Sequence, residues 1–356
     1  MNFHQILQHV KTDSLASVGA YGPELALIAA VLLVLLLRVP RWTRSFPSLI
    51  VALIGSGAAF VLALAECVQA EAGSLSTLGE PIFTGLLVHD NLSICFRMLL
   101  TGFAFLLLIL TWLTKMPDAE NAPDVYAMIL GSVIGMCIMA SANNMLMVFF
   151  GIEMASVPSY VLAGTIKGRK VASEAALKFA VYGAGTAGVM LYGISLVSGA
   201  LGTLHLPTMA EQLAQVLADG GDKQLVLFLG GLMIMVGFAF KLSAVPFQFW
   251  CPDVFEGATA EVNAFLSVAS KAAALALLIR VACGLGGESL VHDAPHNPPV
   301  ETTAATAAAE PVVILVASET NRDSAAGESA ATISKVEALR PARDYIVFVI
   351  SLLAGL

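Results

Sequence analysis

The chain has 356 residues, of which 58% are hydrophobic and only 12% are charged. Soluble domains carry about 45–50% apolar and about 25% charged residues, so this chain has too few polar side chains to cover a water-exposed surface. Its formal net charge is −8, and no basic patch indicates nucleic-acid binding. The five cysteines are scattered without a CxxC pair, which argues against a zinc or iron–sulfur site. The composition predicts an all-α, polytopic membrane protein.

Eight complete transmembrane helices and the start of a ninth are predicted, because only a helix satisfies its own backbone in lipid without neighbours. The predicted spans are roughly 22–38, 46–66, 91–114, 125–142, 144–165, 175–200, 223–245, 259–283 and then 344–356. Between the sixth and seventh spans, residues 207–219 have helical periodicity and a mixed face, which is typical of a helix on the outer membrane surface. No cleaved signal peptide is predicted, because the amino-terminal residues lack a basic region directly before the apolar run.

Basic residues cluster in the loops after the first and fifth spans, and such loops tend to lie in the cytoplasm. They are Arg38, Arg41, Arg44, Lys167, Arg169 and Lys170. If every span crosses the membrane, both loops lie on the same side and the amino terminus lies outside.

Residues 284–343 are rich in Ala, Thr, Ser, Pro and Glu and have too few large apolar side chains for a core. They are predicted to be a mostly disordered, low-complexity insert on the outer, periplasmic side. The chain then stops inside the apolar run "VFVISLLAGL". We therefore expect either a fragment or a truncated gene product.

The analysis of the predicted spans singles out four ionisable side chains as candidates for a proton relay: Glu153, Lys178, Lys241 and Lys271. A charge at mid-bilayer costs about 2.5–3.5 kcal/mol or more and normally faces the protein interior or water. How firmly such a group holds its proton depends on neighbouring charges, so modest rearrangements can transfer the proton.

The environment of the seventh span supports this hypothesis. Pro246 follows Lys241 after five residues, and proline breaks a helix by removing a backbone donor. A broken span is tolerated only beside protein or a water cavity, so Lys241 is expected to have a route to water. Lys271 lies 30 residues later (271 − 241), about one span plus a turn, and is predicted to lie at a similar depth.

Structural alternatives exist for each charge. Glu153 could form an ion pair that only joins two helices, and Lys241 could extend its ammonium group towards the interface. Lys178 could simply pair with Glu174, four residues earlier. Asp253 is predicted to lie with Glu256 in an inner loop, where capping of the eighth span is a plainer function than proton uptake.

The residues at 240–280, "FKLSAVPFQFWCPDVFEGATAEVNAFLSVASKAAALALLIR", resemble the antiporter-like membrane subunit N of proton-pumping NADH:quinone oxidoreductase, respiratory complex I. They are also similar to mitochondrial subunit 2. The stretches "GIEMASVPSYVLAG" at 151–164 and "SEAALKFAVYGAGTAGVMLYG" at 173–193 match the family's fifth and sixth spans. The resemblance covers approximately residues 20–283.

This resemblance implies a subunit that translocates protons across the cell inner membrane, with other membrane subunits of the complex as partners. It implies an ion pair between Glu153 and Lys241, with Lys178 and Lys271 on a central polar axis. The chain itself would bind no cofactor, whereas the complex uses NADH, FMN, iron–sulfur clusters and a quinone. Residues 1–124 would form three amino-terminal helices, and 125–283 would form the first five-helix antiporter-like repeat, with a broken seventh helix.

Three departures from the family pattern stand out. The second repeat and its lysine are missing, and the insert at 284–343 replaces a short connection. Gln248 stands where the family has histidine, so a titrating role at that position is lost.

Two other functions remain open from the sequence alone. One is a cation/proton antiporter subunit on the same fold. The other is a structural membrane subunit whose charges only hold helices together.

Overall fold

The computed structural model describes residues 3–38, 48–75, 78–115, 121–166, 168–219 and 223–285. Within these ranges, eight helices are long and apolar enough to cross a membrane, and this confirms the predicted all-α, polytopic architecture. The basic residues Arg41, Arg44 and Lys167 lie outside the described residues. So do the predicted ninth span and all of the predicted insert beyond Leu285.

The elements follow the predicted order with three additions, two helices and a β-hairpin. The helices are α1 (Phe3–Ser17), α2 (Gly22–Arg38), α3 (Ser48–Glu71), α4 (Asn91–Thr114), α5 (Ala122–Ser141), α6 (Met145–Ala163), α7 (Lys170–Leu201), α8 (Leu206–Asp219), α9 (Lys223–Leu242), α10 (Trp250–Gly257) and α11 (Ala260–Leu285). Sequence analysis missed α1, and it missed an antiparallel hairpin of β1 (Pro81–Ile82) and β2 (Leu87–Val88). Helix α11 extends through Gly284 and Leu285, the first two residues of the predicted insert.

Local signals in the sequence explain where several helices begin and end. The Asp90 side chain accepts a hydrogen bond from the Ser93 amide, and the Ser93 hydroxyl caps the Asp90 backbone, so α4 starts with a capping box. Pro123 stands in the first turn of α5, where its missing N–H costs nothing. Gly202 ends α7 with a φ of 73°, a conformation that favours glycine.

The predicted break in the seventh span is confirmed. Helix α9 ends at Leu242, and the chain runs through turns until α10 begins at Trp250. Ser243 has a φ of 60°, which is unusual for a residue with a side chain, and Pro246 lies inside the break. The residues of the break are thus incompatible with a continuous helix.

Helix α5 occupies the centre of the described structure. Nearly all of its side chains are buried, and it contacts α2, α4, α6 and α11. Helices α7 and α9 pack against each other, and α10 rests on α7. The amino-terminal helices and the later helices therefore meet around one core, and the helix carrying Lys271 touches the helix carrying Asp90.

Small residues let α5 and α6 approach closely. A Cβ atom added at Gly135 would lie 2.5 Å from the backbone nitrogen of Ala155 on α6. One helical turn earlier, a Cβ at Gly131 would meet nothing within 4 Å. The α5–α6 contact consequently depends on the missing side chain at 135.

We expect Gly135→Ala to lower the free energy of unfolding by about 1–3 kcal/mol, because the added methyl group forces two backbones apart. Thermal unfolding of the protein in lipid nanodiscs measures the effect. Gly131→Ala is the matched control and is expected to unfold at or above the wild-type temperature. Equal unfolding temperatures for the two variants would contradict the close approach.

Candidate functional site: a buried lysine pair at a helix break

Lys241 lies in the last turn of α9 with only 7% of its surface exposed. Its Nζ donates a hydrogen bond of 3.0 Å to the hydroxyl of Ser156 on α6. The Ser156 hydroxyl in turn donates to the backbone carbonyl of Ile152 at 2.6 Å. The ammonium group therefore points into the interface between α9 and α6.

Lys271, near the middle of α11, reaches the same place from the other side. Its Nζ donates to the backbone carbonyl of Lys241 at 3.1 Å, and it also donates to the hydroxyl of Ser243. The carbonyl at 241 is one of the acceptors that a helix leaves unpaired at its carboxyl end. A cation is the favoured partner at that end of the helix dipole. The break in α9 thus creates the binding site for Lys271.

Aromatic side chains line one side of this site. The ring centroid of Trp250 lies 5.0 Å from the Lys271 Nζ, within the range of a cation–π contact. The Trp250 indole N–H donates to the carbonyl of Phe240 at 3.2 Å, and that carbonyl also accepts a hydrogen bond from the Ser243 amide. Trp250 also stacks on Phe179 at a centroid distance of 4.3 Å. The lysine pair is therefore held among rings on the side of α7 and α10.

Glu153 lies on α6 one turn before Ser156, on the same face of the helix, and is half-buried. Among the described residues, no oxygen of Glu153 lies within 4.0 Å of a lysine or arginine nitrogen. The ion pair with Lys241 that the resemblance implies is therefore open in this structure. The Lys241 ammonium group donates to Ser156 instead.

Lys178 lies apart from the other two lysines. Its Nζ contacts Glu174, four residues earlier, at 2.8 Å and Asp253 of α10 at 2.9 Å. Its side chain is 35% exposed. The local pair with Glu174 that the sequence offered as an alternative is present in the structure.

Two predictions about the segment after the break need correction. Asp253 and Glu256 lie in the short helix α10 rather than in a loop, and Asp253 does not cap α11. The hydroxyl of Thr259 accepts a hydrogen bond from the Val262 amide and takes that place. Gln248, which replaces the family histidine, lies in the break with an exposed side chain.

Sequence analysis also overlooked buried charges near the ends of the predicted spans. Arg97 of α4 contacts Glu24 of α2 and Glu66 of α3, and Arg280 of α11 contacts Asp90. Charged side chains near helix ends usually extend to water, so their place in the sequence does not indicate burial. Arg97, inside the apolar run "SICFRMLL", was the available signal.

The contact between Asp90 and Arg280 joins α4 to the helix that carries Lys271. Arg280 Nη2 lies 2.7 Å from an Asp90 oxygen and donates to the carbonyl of Ala140 at the end of α5. Burial alone would raise the pKa of Asp90, but the hydrogen bonds and charge of Arg280 outweigh burial and lower it. The carboxylate is therefore ionised, and it fixes α11 against α4 and α5.

Among the described residues, no group of three or more His, Cys, Asp or Glu side chains is placed to hold a metal ion.

Comparison with known proteins agrees with the resemblance drawn from the residues. Residues 142–288 match the family model described as "NADH:quinone oxidoreductase/Mrp antiporter, TM". NADH-quinone oxidoreductase subunit N 2 of Chloroherpeton thalassium is 36% identical over 269 residues, covering 74% of this chain and 50% of that protein. Subunit N of Chlorobium chlorochromatii is 36% identical over 278 residues, covering 77% and 52%.

Among solved structures, respiratory complex I from Thermus thermophilus contains a similar chain. The TM-score is 0.57 and the identity 28%, and the match covers 73% of this chain and 53% of that one. The chain thus spans about half the length of the relatives that it matches.

The fold and the family match over residues 142–288 resemble those of antiporter-like membrane proteins. Within that class, the chain resembles subunit N of NADH-quinone oxidoreductase, and the comparisons confirm the resemblance that the sequence motifs indicated.

We expect Asp90→Asn to destabilise the protein by about 3–5 kcal/mol, because it leaves the buried Arg280 guanidinium without a counter-charge. The half-exposed pair of Arg38 and Asp124 supplies the control, since Asp124→Asn should cost about 1 kcal/mol or less. Thermal unfolding across pH measures both.

The pKa of Asp90 is lowered on folding, so its contribution is complete above the unfolded value of about 3.9. It should disappear as the pH falls through the lowered folded value. A cost for Asp90→Asn no larger than that for Asp124→Asn would contradict this assignment.

Proposed function

We propose that this chain is part of a proton-translocating subunit of an NADH:quinone oxidoreductase, in which protons pass along buried glutamate and lysine side chains. The observation that supports it best is the convergence of two lysines on one helix break, with Lys271 bound to the backbone carbonyl of the buried Lys241. Intramembrane charges that face one another across a broken helix are typical of ion pathways.

In the proposed relay, a serine hydroxyl lies beside each lysine. Ser156 lies one turn from Glu153 and accepts a hydrogen bond from Lys241. Ser243 accepts one from Lys271. A hydroxyl both donates and accepts, so each serine can pass a proton between its neighbours. The proposed order is therefore Glu153, Ser156, Lys241, Ser243 and Lys271.

The two lysines would compete for protons. Two positive charges held close together in a medium of low dielectric constant repel each other, so a proton arriving at one lysine favours release from the other. Closing the distance between Glu153 and Lys241 would hold the proton, and opening it would pass the proton on.

Lys178 is proposed as a peripheral member of the relay. It is partly exposed and paired with Asp253 of α10, and α10 also carries Trp250 against Lys271. A change in the pair of Lys178 and Asp253 would therefore reach the lysine pair through α10. This makes Lys178 a group that adjusts the pathway rather than a step within it.

The remaining parts of the proposal rest on the resemblance. Residues 1–124 and 125–283 would be the amino-terminal helices and the antiporter-like repeat. Partners would be the neighbouring membrane subunits, and the chain would lie in the cell inner membrane with its amino terminus outside. The chemistry of NADH, FMN, iron–sulfur clusters and quinone would take place in other subunits.

A cation/proton antiporter subunit is the second candidate, because the matching family model covers Mrp antiporters as well. The lysine pair would serve this function equally well. Proton movement driven by a sodium or potassium gradient, without NADH or quinone, would favour it.

We expect Lys241→Met and Lys271→Met to reduce proton translocation by about tenfold or more, in line with the effect of other positioned proton-transfer groups. The measurement is NADH-driven acidification of proteoliposomes that contain the assembled complex with this chain. Ser156→Ala should give a smaller reduction, since water can replace one hydroxyl.

Lys223→Met is the matched control, because Lys223 begins the same helix α9 and is exposed. It should pump as the wild type does. If the assembled complex still pumps normally with Lys241→Met, the lysines have only a structural role and the proposed relay is wrong.

A further inference from the structure

A second group of buried charges lies between α2, α3 and α4, and the proposed relay does not use it. At its centre, the Nε of Arg97 lies 2.6 Å from a Glu24 oxygen, and both side chains are completely buried. The Nη1 of Arg97 lies 3.6 Å from an oxygen of Glu66, whose side chain is 14% exposed. We call Glu24, Glu66 and Arg97, together with His89, the Arg97 cluster.

His89 adds no positive charge to this cluster. Its Nδ1 lies 2.9 Å from the Arg97 Nη1. A guanidinium only donates hydrogen bonds, so Nδ1 accepts and the ring proton sits on Nε2. Burial and then the charge of Arg97 lower the pKa of His89 to about 4. The ring is consequently neutral at pH 7, and Arg97 is the only cation of the cluster.

Three other titratable groups face the cluster. Asp90, next to His89, is ionised, but Arg280 balances its charge outside the cluster. The remaining two are neutral at pH 7. Tyr21, which precedes α2, and Cys137 of α5 both interact electrostatically with Arg97. Phenol and thiol groups ordinarily hold their protons at pH 7. The charge balance therefore depends on Glu24, Glu66 and Arg97 alone.

Two ionised carboxylates against one guanidinium would leave a net negative charge in a buried site. Such an uncompensated buried charge is costly. When two carboxylates share a site, one of them therefore tends to bind a proton rather than both staying ionised. One proton makes the cluster neutral. The arrangement thus has room for a single proton that either carboxylate can carry.

Several polar atoms of the cluster lack a partner among the described residues. They are Oε2 of Glu24, Nη2 of Arg97 and Nε2 of His89. Buried polar atoms in proteins are almost always hydrogen-bonded, to protein or to water. These donors and acceptors suit a bound proton and the water that exchanges it, and the exposed edge of Glu66 offers the route to solvent.

We propose that Glu24 and Glu66 together bind one exchangeable proton beside Arg97, at a site separate from the lysine pair. When the proton arrives, an O–H bond forms on one carboxylate and the cluster becomes neutral. When it leaves, the carboxylate remains paired with Arg97 and the cluster is negative. The assignment is independent of the relay at Lys241.

Infrared difference spectroscopy of the full chain in lipid nanodiscs tests the proposal, with ¹³C-labelled glutamate to identify glutamate bands. At pH 7 we expect the wild type to show the C=O band of one more protonated glutamate per chain than Glu24→Gln or Glu66→Gln. Either substitution leaves one carboxylate opposite Arg97, so the cluster is neutral without a proton. Both single variants should therefore lose the same band.

Glu71→Gln, an exposed change on the same helix as Glu66, is the control and should keep the band. A band that survives Glu24→Gln would overturn the sharing of the proton, and one that survives both variants would overturn the site. If the labelled wild type shows no protonated glutamate band at all, the site is also wrong. This measurement uses the wild type alone, so it does not depend on the folding of a variant.

Discussion

A backbone carbonyl that leaves its helix inside a membrane must find another donor, because no water is available there to pair with it. Helix α9 ends at Leu242 within the bundle and frees such carbonyls. Lys271 pairs with the carbonyl of Lys241, whereas the carbonyl of Phe240 accepts from the Ser243 amide and from Trp250. The chain therefore uses a lysine ammonium group where a continuous helix would use a backbone amide, and this brings the side chain of Lys271 to the helix break.

The position of Lys271 depends in turn on charges far from it along the chain. Arg280, nine residues later on α11, is fixed by Asp90 and by the carbonyl of Ala140. Replacing both members of such a buried pair by apolar residues is often harmless, whereas removing one of them is costly. The main effect of the pair is therefore to fix the position of α11 rather than to add stability. Because Lys271 is on α11, the pair also fixes the position of Lys271.

Much of the fold could be predicted because lipid makes strong demands on a sequence. Long apolar runs must be helices, and Pro246 could not continue one. Lys241 and Lys271 were visible because each interrupts an apolar run. The contacts of Lys178 were not settled by the sequence, since its pair with Glu174 is local whereas its pair with Asp253 requires α10 to pack on α7.

The sequence by itself determined the class of protein, the positions of eight spans, the helix break and the two lysines beside it. Tertiary structure alone decided which charges meet. Glu24, Glu66 and Arg97 come from three different helices, and nothing in the local pattern around each residue encodes its distance from the others. The reason is physical: helical periodicity and hydrophobicity are local properties, whereas the pairing of buried charges depends on how whole helices pack.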